Sequence, residues 1–554
     1  MPPNNTKRDD EAAYAGRWVA RVQGRIVAQA ETEEAALLAA KAQRHKEKVE
    51  VEFVSVDGAA RFGPLVDRVA QIAQDESVFL VGGAVRDALL GIASHDFDFA
   101  LPQGAIECAR HVANALGAAF YVLDEDFEAA RVIVPASTGV RDVLDFCSFR
   151  GPDLPADLAG RDFTIDAMAY DLHKKTILDP LGGGNDLRSR VLRACTDRSV
   201  DDDPVRLLRA IRLAAALDLK IEANTRRAMK EAASLLPRIS AERQRDELFK
   251  ILGGPRPDAA LRALEILGVF PFLLPELPAL KGVAQPAPHV HDVWDHTLSV
   301  VHHLDGILAA LDVDSSAVRE DGLITGVLTG RLGRYREQFA GHLLRSMNPD
   351  RGARSLLFFA ALYHDVAKPS ARTEDPDGRI RFLGHEQLGA DVAASRCRGF
   401  KLSNDEIGHI RGLVAHHMRF AVMAKRMEVG GEVPSGKAIH RFFRETGQAG
   451  VELILLGLAD LRGVRGVALT EGAWLSYVET ARILLEHYWE RPQESVAPPP
   501  LMNGADVMHE YDLQAGPVVG EMLQAIREAQ AAGEVTTQDE ALAFGRTWLK
   551  SHGK

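Results

Sequence analysis

The segment Ser77-Val-Phe-Leu-Val81 runs straight into Gly82-Gly83 and then into Ala84-Val-Arg-Asp-Ala-Leu-Leu90. An apolar strand, two glycines and a helix opening behind them leave little choice of local fold. Such a turn aims backbone N–H groups and the positive end of the helix dipole at an anion. Taken alone, two glycines before a helix more often serve an ordinary tight turn. His95-Asp96-Phe97-Asp98-Phe99-Ala100-Leu101 alters that balance. Residues two apart on a strand share a face, so Asp96 and Asp98 are expected to point together while Phe97 and Phe99 enter the core. Two carboxylates so close repel unless a cation lies between them, and paired Mg²⁺ ions are the usual solution in nucleotidyl transfer. A third carboxylate, Asp145, interrupts the apolar run Val143-Leu144-Asp145-Phe146 on a later strand.

At 554 residues the chain exceeds what one hydrophobic core serves, so three or more compact units are expected. Gly16 to Val22 and Arg25 to Ala30 read as a hairpin about Gln23-Gly24, Thr32 as the cap of a helix running to about Lys46, and Val49, Val51 and Phe53 as an alternating strand. Residues 1–60 thus form a small N-terminal α/β unit of unassigned role, resembling a short bacterial domain of unknown function. Residues 63–195 mix strands and helices, 196–280 form an Arg-rich helical neck, and 285–465 a second helical region behind Gln285-Pro-Ala-Pro288. Arg491 to Pro500 is a Pro-rich linker within a helical tail, 466–554. The start is polar, and no apolar run nears the ~20 residues needed to span a bilayer, so a cytoplasmic protein without a membrane partner is expected. Four dispersed cysteines fit reduced thiols. A net charge of −12 opposes nonspecific nucleic-acid binding, DNA included, and confines RNA contact to local basic patches.

The motifs of the first half resemble the class II tRNA nucleotidyltransferase and bacterial poly(A) polymerase family, within the polymerase-β-like nucleotidyltransferases. The likeness rests on Leu80-Val-Gly-Gly-Ala-Val-Arg-Asp87 with Asp96-Phe-Asp98, Arg161-Asp-Phe-Thr-Ile-Asp-Ala167, Asp179-Pro-Leu-Gly-Gly-Gly-Asn-Asp-Leu187, Asp202-Asp-Pro-Val-Arg-Leu-Leu-Arg-Ala210 and Arg243-Gln-Arg-Asp-Glu247, in the family's order. It implies an α+β fold: a nucleotidyltransferase head, a helical neck and a helical remainder. It further implies two Mg²⁺ on Asp96 and Asp98, attack by an RNA 3′ hydroxyl on the α-phosphate, and loss of pyrophosphate. Gly82, Gly83, Arg86, Arg161, Asp162 and Arg209 become nucleotide-binding positions. Where the family usually has Arg-Arg-Asp and a closing Asn, this chain has Gly160-Arg161-Asp162 and Asp166, one positive charge fewer and one carboxylate more.

Asp203 and Arg206 lie three apart at a helix start and can occupy one face. Arg offers only donors and ionised Asp only acceptors. Cytosine and adenine both present an exocyclic amine beside a ring-nitrogen acceptor, so the pair fits either base. Uracil and guanine would turn a carbonyl toward the carboxylate. The plainer alternative is that Asp203 only caps a helix with Pro204 at its first position. For RNA contact two basic groups compete: Arg226, Arg227 and Lys230 in the neck, and the stretch Arg331 to Arg354, whose six arginines (Arg331, Arg334 and Arg336 foremost) face only Glu337 and Asp350. The latter equally suits a solvated surface insertion.

The helical second half supplies His and Asp in apolar settings, where an unpaired charge is costly and metal coordination removes the cost. Asp295-His296, Leu362-Tyr-His364-Asp365-Val-Ala-Lys368, Gly384-His385-Glu386, His416-His417 and Leu458-Ala-Asp460 resemble, in order and spacing, the HD superfamily of metal-dependent phosphohydrolases. The resemblance implies an all-α HD domain with ligands His296, His364, Asp365 and Asp460, extended toward a second metal by His385, His416 and His417. Such donors suit Mn²⁺, Fe²⁺, Ni²⁺ or Mg²⁺.

Together these features lead to the expectation of a tRNA nucleotidyltransferase that adds CCA, or part of it, from CTP and ATP to the 3′ end of tRNA or another RNA, with an HD-type phosphohydrolase site. The alternatives are a poly(A) polymerase or A-only adding enzyme, and an RNA-binding HD phosphohydrolase with an idle head.

Overall fold

The computed structural model describes residues 18–22, 25–30, 37, 39–41, 49–53, 62–74, 77–135, 141–313, 322–348 and 351–552. The chain divides into two compact units, Met1–Ala232 and Ala233–Lys554, so the division falls inside the stretch read as one neck.

In the first unit β1 (Trp18–Val22) pairs antiparallel with β2 (Arg25–Ala30) and with β3 (Glu50–Phe53). The expected Gln23-Gly24 turn and most of the helix to Lys46 lie outside the described residues. A seven-stranded mixed sheet follows, built from β4 (Phe79–Val81), β5 (Asp96–Leu101), β6 (Ala119–Asp124), β7 (Ala129–Val134), β8 (Asp142–Ser148), β9 (Ala169–Asp171) and β10 (Thr176–Leu178), in the order β10-β9-β4-β5-β8-β7-β6. Every neighbouring pair is antiparallel except β5 and β8.

Strand alternation sorts the side chains. Leu80, Phe97, Phe99, Leu144 and Phe146 enter a core covered by the helices Pro64–Ile72 and Ala105–Leu116, and the Phe99 and Phe146 rings stack at 4.8 Å. Val81 and Ala100 face the other way, against Leu154, Leu158 and Ala167. Asp96, Asp98 and Asp145 share the parity of Ala100, and this second face is where chemistry can occur.

The second unit is helical. Val293–Ala310, Ala353–Tyr363, His385–Gly399, Asn404–His416, Met418–Gly430 and Ala449–Arg465 pack around Leu298, Val301, Leu357, Phe358, Ile454 and Leu458, all fully buried. The C-terminal helices Gly504–Tyr511, Pro517–Ala531 and Gln538–Ser551 hold their own core of Val507, Met522, Ile526 and Ala541. The expected Pro-rich linker contains a short π-helical turn, Pro492–Val496. No helix among the described residues is long and apolar enough to cross a membrane.

Candidate active sites

In the first unit β4 ends at Val81 and the helix Gly83–Leu89 begins two residues later, with Gly82 as its cap at φ 76°. That left-handed conformation favours glycine. Space demands it too, because a Cβ on Gly82 would stand 3.1 Å from Arg161 Nη1 and 3.3 Å from Asp98 Oδ2. The glycine therefore opens the floor on which Asp98 and Arg161 meet.

The parallel register sets Asp98 opposite Asp145 and Asp96 opposite Val143. Asp96 is exposed and Asp98 half-buried. Burial pushes the Asp98 carboxyl up to about 6; Asp96 and Asp145 push the same way, and Arg161 opposes them. Such a carboxylate gains from a cation at its open side. Asp145 is differently placed, since Arg131 Nε and Nη2 take its two oxygens at 2.8 and 2.7 Å.

The remaining positions expected to bind nucleotide gather around this floor. Arg209 Nη1 donates to Asp162 Oδ2 at 2.8 Å, and Arg86 Nη1 lies 2.5 Å from Asp166 Oδ1. Asp166 is the carboxylate that stands where the family usually has Asn. Burial pushes it up to about 6 against the pull of Arg86. Arg86 is thus spent on Asp166 and Asp87, which the motif pattern did not indicate. Arg206 donates through Nη1 and Nη2 to the carbonyls of Ser199, Arg161 and Gly160, at 3.1, 3.3 and 3.0 Å. Its guanidinium is held at the head of the helix Arg206–Leu217, while Asp203 ends the preceding turn in extended conformation. Arg226, Arg227 and Lys230 are exposed on the helix Ala223–Ala232.

The second unit places His296, His364 and Asp460 so that one ligand atom from each lies within 4.8 Å of the others, and it does the same for Asp365, His385 and His417. His364, His385 and His417 each hydrogen-bond the carbonyl three residues back through Nδ1, those of Ala361, Phe382 and Val414, at 2.7, 2.7 and 2.8 Å. A neutral imidazole donating at Nδ1 presents a lone pair at Nε2, the tautomer a metal takes. The Nε2 atoms converge: His364 lies 3.1 Å from Asp365 Oδ2, and His385 and His417 lie 3.3 and 3.8 Å from Asp365 Oδ1. His296 Nε2 stands 3.1 Å from Asp460 Oδ1 and 3.4 Å from Asp365 Oδ2. Buried Nε2 atoms of His385 and His417 find no hydrogen-bond partner among the described residues, and burial, then the neighbouring His364, holds His417 down at about 4. Orphaned imidazole nitrogens around a buried carboxylate fit a divalent metal, with Asp365 between the two donor sets.

His416 corrects the sequence expectation. It sits outside both sets, receives a hydrogen bond from Arg419 at 3.1 Å, and lines a separate cavity with Arg345 and Glu445. Adjacent residues at a helix end point in different directions, so only His417 can reach the centre. Sequence reasoning also passed over two neighbours. Lys368 Nζ lies 2.6 Å from Asp365 Oδ2, three residues on, a spacing that could have exposed it. His289, whose ring centroid is 5.4 Å from that of His296, left no such signal. Both line a cavity of ≈ 500 Å³ over the cluster, with Lys425 and Arg465.

The arginines of the 331–354 stretch have partners within the second unit. Arg331 faces Glu479, Arg334 lies 2.8 Å from Glu490, Arg336 donates to the Ala310 carbonyl, Arg351 forks onto the buried Glu406, and Arg354 pairs with Asp305 at 2.7 Å. These charges tie helices together, which a count of sequence charge could not show.

Fold and first site define a polymerase-β-like nucleotidyltransferase carrying an HD-type helical domain. The comparisons agree: residues 78–193 match the Poly A polymerase head domain, 218–280 the probable RNA and SrmB-binding site of polymerase A, 335–461 the HD domain, and 498–544 the putative tRNA nucleotidyltransferase domain 2. The chain is 34% identical to the A-adding tRNA nucleotidyltransferase of Deinococcus radiodurans, over 85% of this chain and 95% of that protein. It is 32% identical to the CC-adding tRNA nucleotidyltransferase of Thermus thermophilus, over 85% and 94%. It belongs to the tRNA nucleotidyltransferase family. Among solved structures, the Thermotoga maritima CCA-adding enzyme complexed with tRNA aligns at TM-score 0.51 and 22% identity over 88% of this chain and 94% of that one, a likeness of fold.

Proposed function

We propose that this protein adds CCA, or part of it, to tRNA 3′ ends from CTP and ATP. The observation that carries this reading is the half-buried Asp98 beside exposed Asp96, on a floor opened by Gly82 next to Arg161. Two Mg²⁺ held by Asp96 and Asp98 would supply charge neutralisation for the triphosphate and activation of the RNA hydroxyl. The backbone of Gly82 and Gly83 and the Arg161 guanidinium receive phosphate oxygens. Arg206, fixed by three carbonyls, has donors left for a ring-nitrogen acceptor, and Asp203 supplies the acceptor for an exocyclic amine. Arg226, Arg227 and Lys230 contact the RNA backbone. Likeness over 85% of the chain to tRNA nucleotidyltransferases favours this reading over poly(A) addition, and an intact Asp96 and Asp98 favour it over an idle head. Its test is incorporation of each triphosphate into tRNA ending at the discriminator base, at -C or at -CC.

The centre in the second unit is a phosphohydrolase site in this proposal. His296, His364 and Asp460 hold one divalent transition metal such as Mn²⁺, Fe²⁺ or Ni²⁺, and Asp365, His385 and His417 offer donors for a second. Lys368, Lys425 and Arg465 attract a phosphate group into the cavity. Hydrolysis of 2′,3′-cyclic nucleotides by the metal-loaded protein tests it.

A further inference from the structure

The face of the sheet that carries Asp96 and Asp98 continues past them. Residues opposite each other in neighbouring strands share a face, so the registers set Asp98 on β5, Asp145 on β8, Arg131 on β7 and Tyr121 on β6 in one row. β6 is the edge of the sheet, three strand spacings of about 4.8 Å from β5, so the row runs about 14 Å. The two sides of these strands differ. Leu144, Phe146, Ala130 and Val132 are buried on the core side, whereas Val143, Asp145, Cys147, Arg131 and Ile133 on the other are only half-buried and Tyr121 is 54% exposed. Among the described residues nothing seals that second side.

The open side lies where an acceptor has to enter. Gly82 and Arg161, which receive phosphate oxygens in the reading above, meet Asp98 at the end of β4, and β4 neighbours β5 on the side away from β8. In-line displacement puts the attacking hydroxyl and the departing pyrophosphate on opposite sides of the phosphorus. With the triphosphate over β4, the RNA end comes in over β8, β7 and β6.

The row offers what a single strand needs. Arg131 gives Nε and Nη2 to Asp145 and keeps Nη1 without a hydrogen bond among the described residues, a donor for a phosphate oxygen. Tyr121, directly opposite it, presents an exposed ring. An aromatic platform beside a cation holds a base by its π-face and the backbone by its charge, whatever the base. Such indifference suits an end whose sequence changes as it grows.

Building on the nucleotide-addition reading of Asp96 and Asp98, we propose that Tyr121 and Arg131 bind the unpaired nucleotides just behind the growing 3′ end, with a base on the Tyr121 ring and a phosphate at Arg131 Nη1. Stacked nucleotides rise about 3.4 Å each, so a row of about 14 Å puts the platform no further back than about the fourth nucleotide.

The experiment measures steady-state incorporation by the full chain with Mg²⁺ into tRNA ending at -C or at -CC, using whichever triphosphate extends it. Tyr121→Ala is expected to raise KM for tRNA by about fivefold or more, the loss of one base stack, with kcat and KM for the triphosphate changed by less than about twofold. Tyr121→Phe keeps the ring and restores the wild-type KM. Val122→Ala, on the same strand but turned to the core side opposite Ala130, leaves all three constants unchanged and so separates the ring from a weakened edge strand. An unchanged KM in Tyr121→Ala, a rise that Tyr121→Phe does not restore, or a rise that Val122→Ala matches overturns the inference. Crosslinking by tRNA with 4-thiouridine at one of its terminal unpaired positions reads the contact without catalysis. Label on β6 or β7 supports it, and label confined to other elements contradicts it. If the wild type extends no tRNA end, the nucleotide-addition reading falls, and the crosslink alone decides the platform. Sedimentation tests the other occupant of an open edge strand: a wild-type dimer that Tyr121→Ala dissociates assigns this face to a second copy of the chain and overturns the RNA assignment.

Discussion

Asp98 on β5 and Asp145 on β8 stand directly opposite each other across the one parallel pair of the sheet, yet only Asp145 is already satisfied, its two oxygens taken by Arg131. The two carboxylates should therefore not be equivalent. Asp96→Ala and Asp98→Asn are expected to lower nucleotide addition by about 10²-fold or more, because they remove the pair proposed to hold Mg²⁺. Asp145→Asn should cost less, about tenfold, and Arg131→Gln should reproduce much of that loss by freeing the same carboxylate. Single-turnover incorporation rates for the four variants make the comparison; equal losses at Asp98 and Asp145 would contradict it.

The two histidines at the end of Asn404–His416 make a sharp pair of variants. His417→Ala should lower bound transition metal, whereas His416→Ala should leave the metal content unchanged, although the side chains are neighbours in sequence. His364→Ala with Asp365→Ala should bring the content from about one or more ions per chain to near zero while nucleotide addition persists. Metal analysis after dialysis, with a parallel incorporation assay, checks all three.

Gly463 lies one turn beyond Asp460, and a Cβ there would come within 2.8 Å of Val300 Cγ2 and 3.3 Å of His296 Nδ1. Gly463→Ala is expected to destabilise the second unit by about 1–3 kcal/mol and to lower its metal affinity. Thermal unfolding with and without Mn²⁺ separates the two effects: the variant's midpoint should fall and respond less to the ion.

One carboxylate contributes an ion-paired anchor for the C-terminal helices. Glu528 on Pro517–Ala531 lies 2.8 and 2.9 Å from Arg441 and Arg444, and against its burial these hydrogen bonds hold it down at about 2 from an ordinary 4.5. The folded value is below the ordinary one, so the stabilisation is complete above about pH 4.5 and is lost as pH falls toward about 2. Its size is about 2 kcal/mol once solvent screening is allowed for. Limited proteolysis between pH 6 and pH 3 should show release of the 498–552 segment on acidification, and Glu528→Gln should make that release pronounced at pH 6 as well.

Much of this is legible in the sequence. Alternation alone put Asp96 and Asp98 on one face and Phe97 and Phe99 in the core, because a strand's period of two leaves no other arrangement. That His296, His364, Asp365 and Asp460 come together was legible through the resemblance of their order and spacing to the HD superfamily. What escaped was whatever depends on the direction of a side chain at a helix end or on distant partners: His417 over His416, Arg86 turned to Asp166, and Arg334, Arg351 and Arg354 turned to carboxylates about 50 to 150 residues away. Charge counted along a sequence cannot tell unpaired surface arginines from ones paired across helices.

The central claim is tested most directly by one incorporation assay: purified protein with Mg²⁺, tRNA ending at the discriminator base, at -C or at -CC, and each nucleoside triphosphate offered singly, for wild type and Asp98→Asn. The account predicts that CTP, ATP or both extend at least one of these ends by a defined number of residues, that UTP and GTP do not, and that Asp98→Asn abolishes extension. No extension of any end, or extension that survives Asp98→Asn, would contradict it.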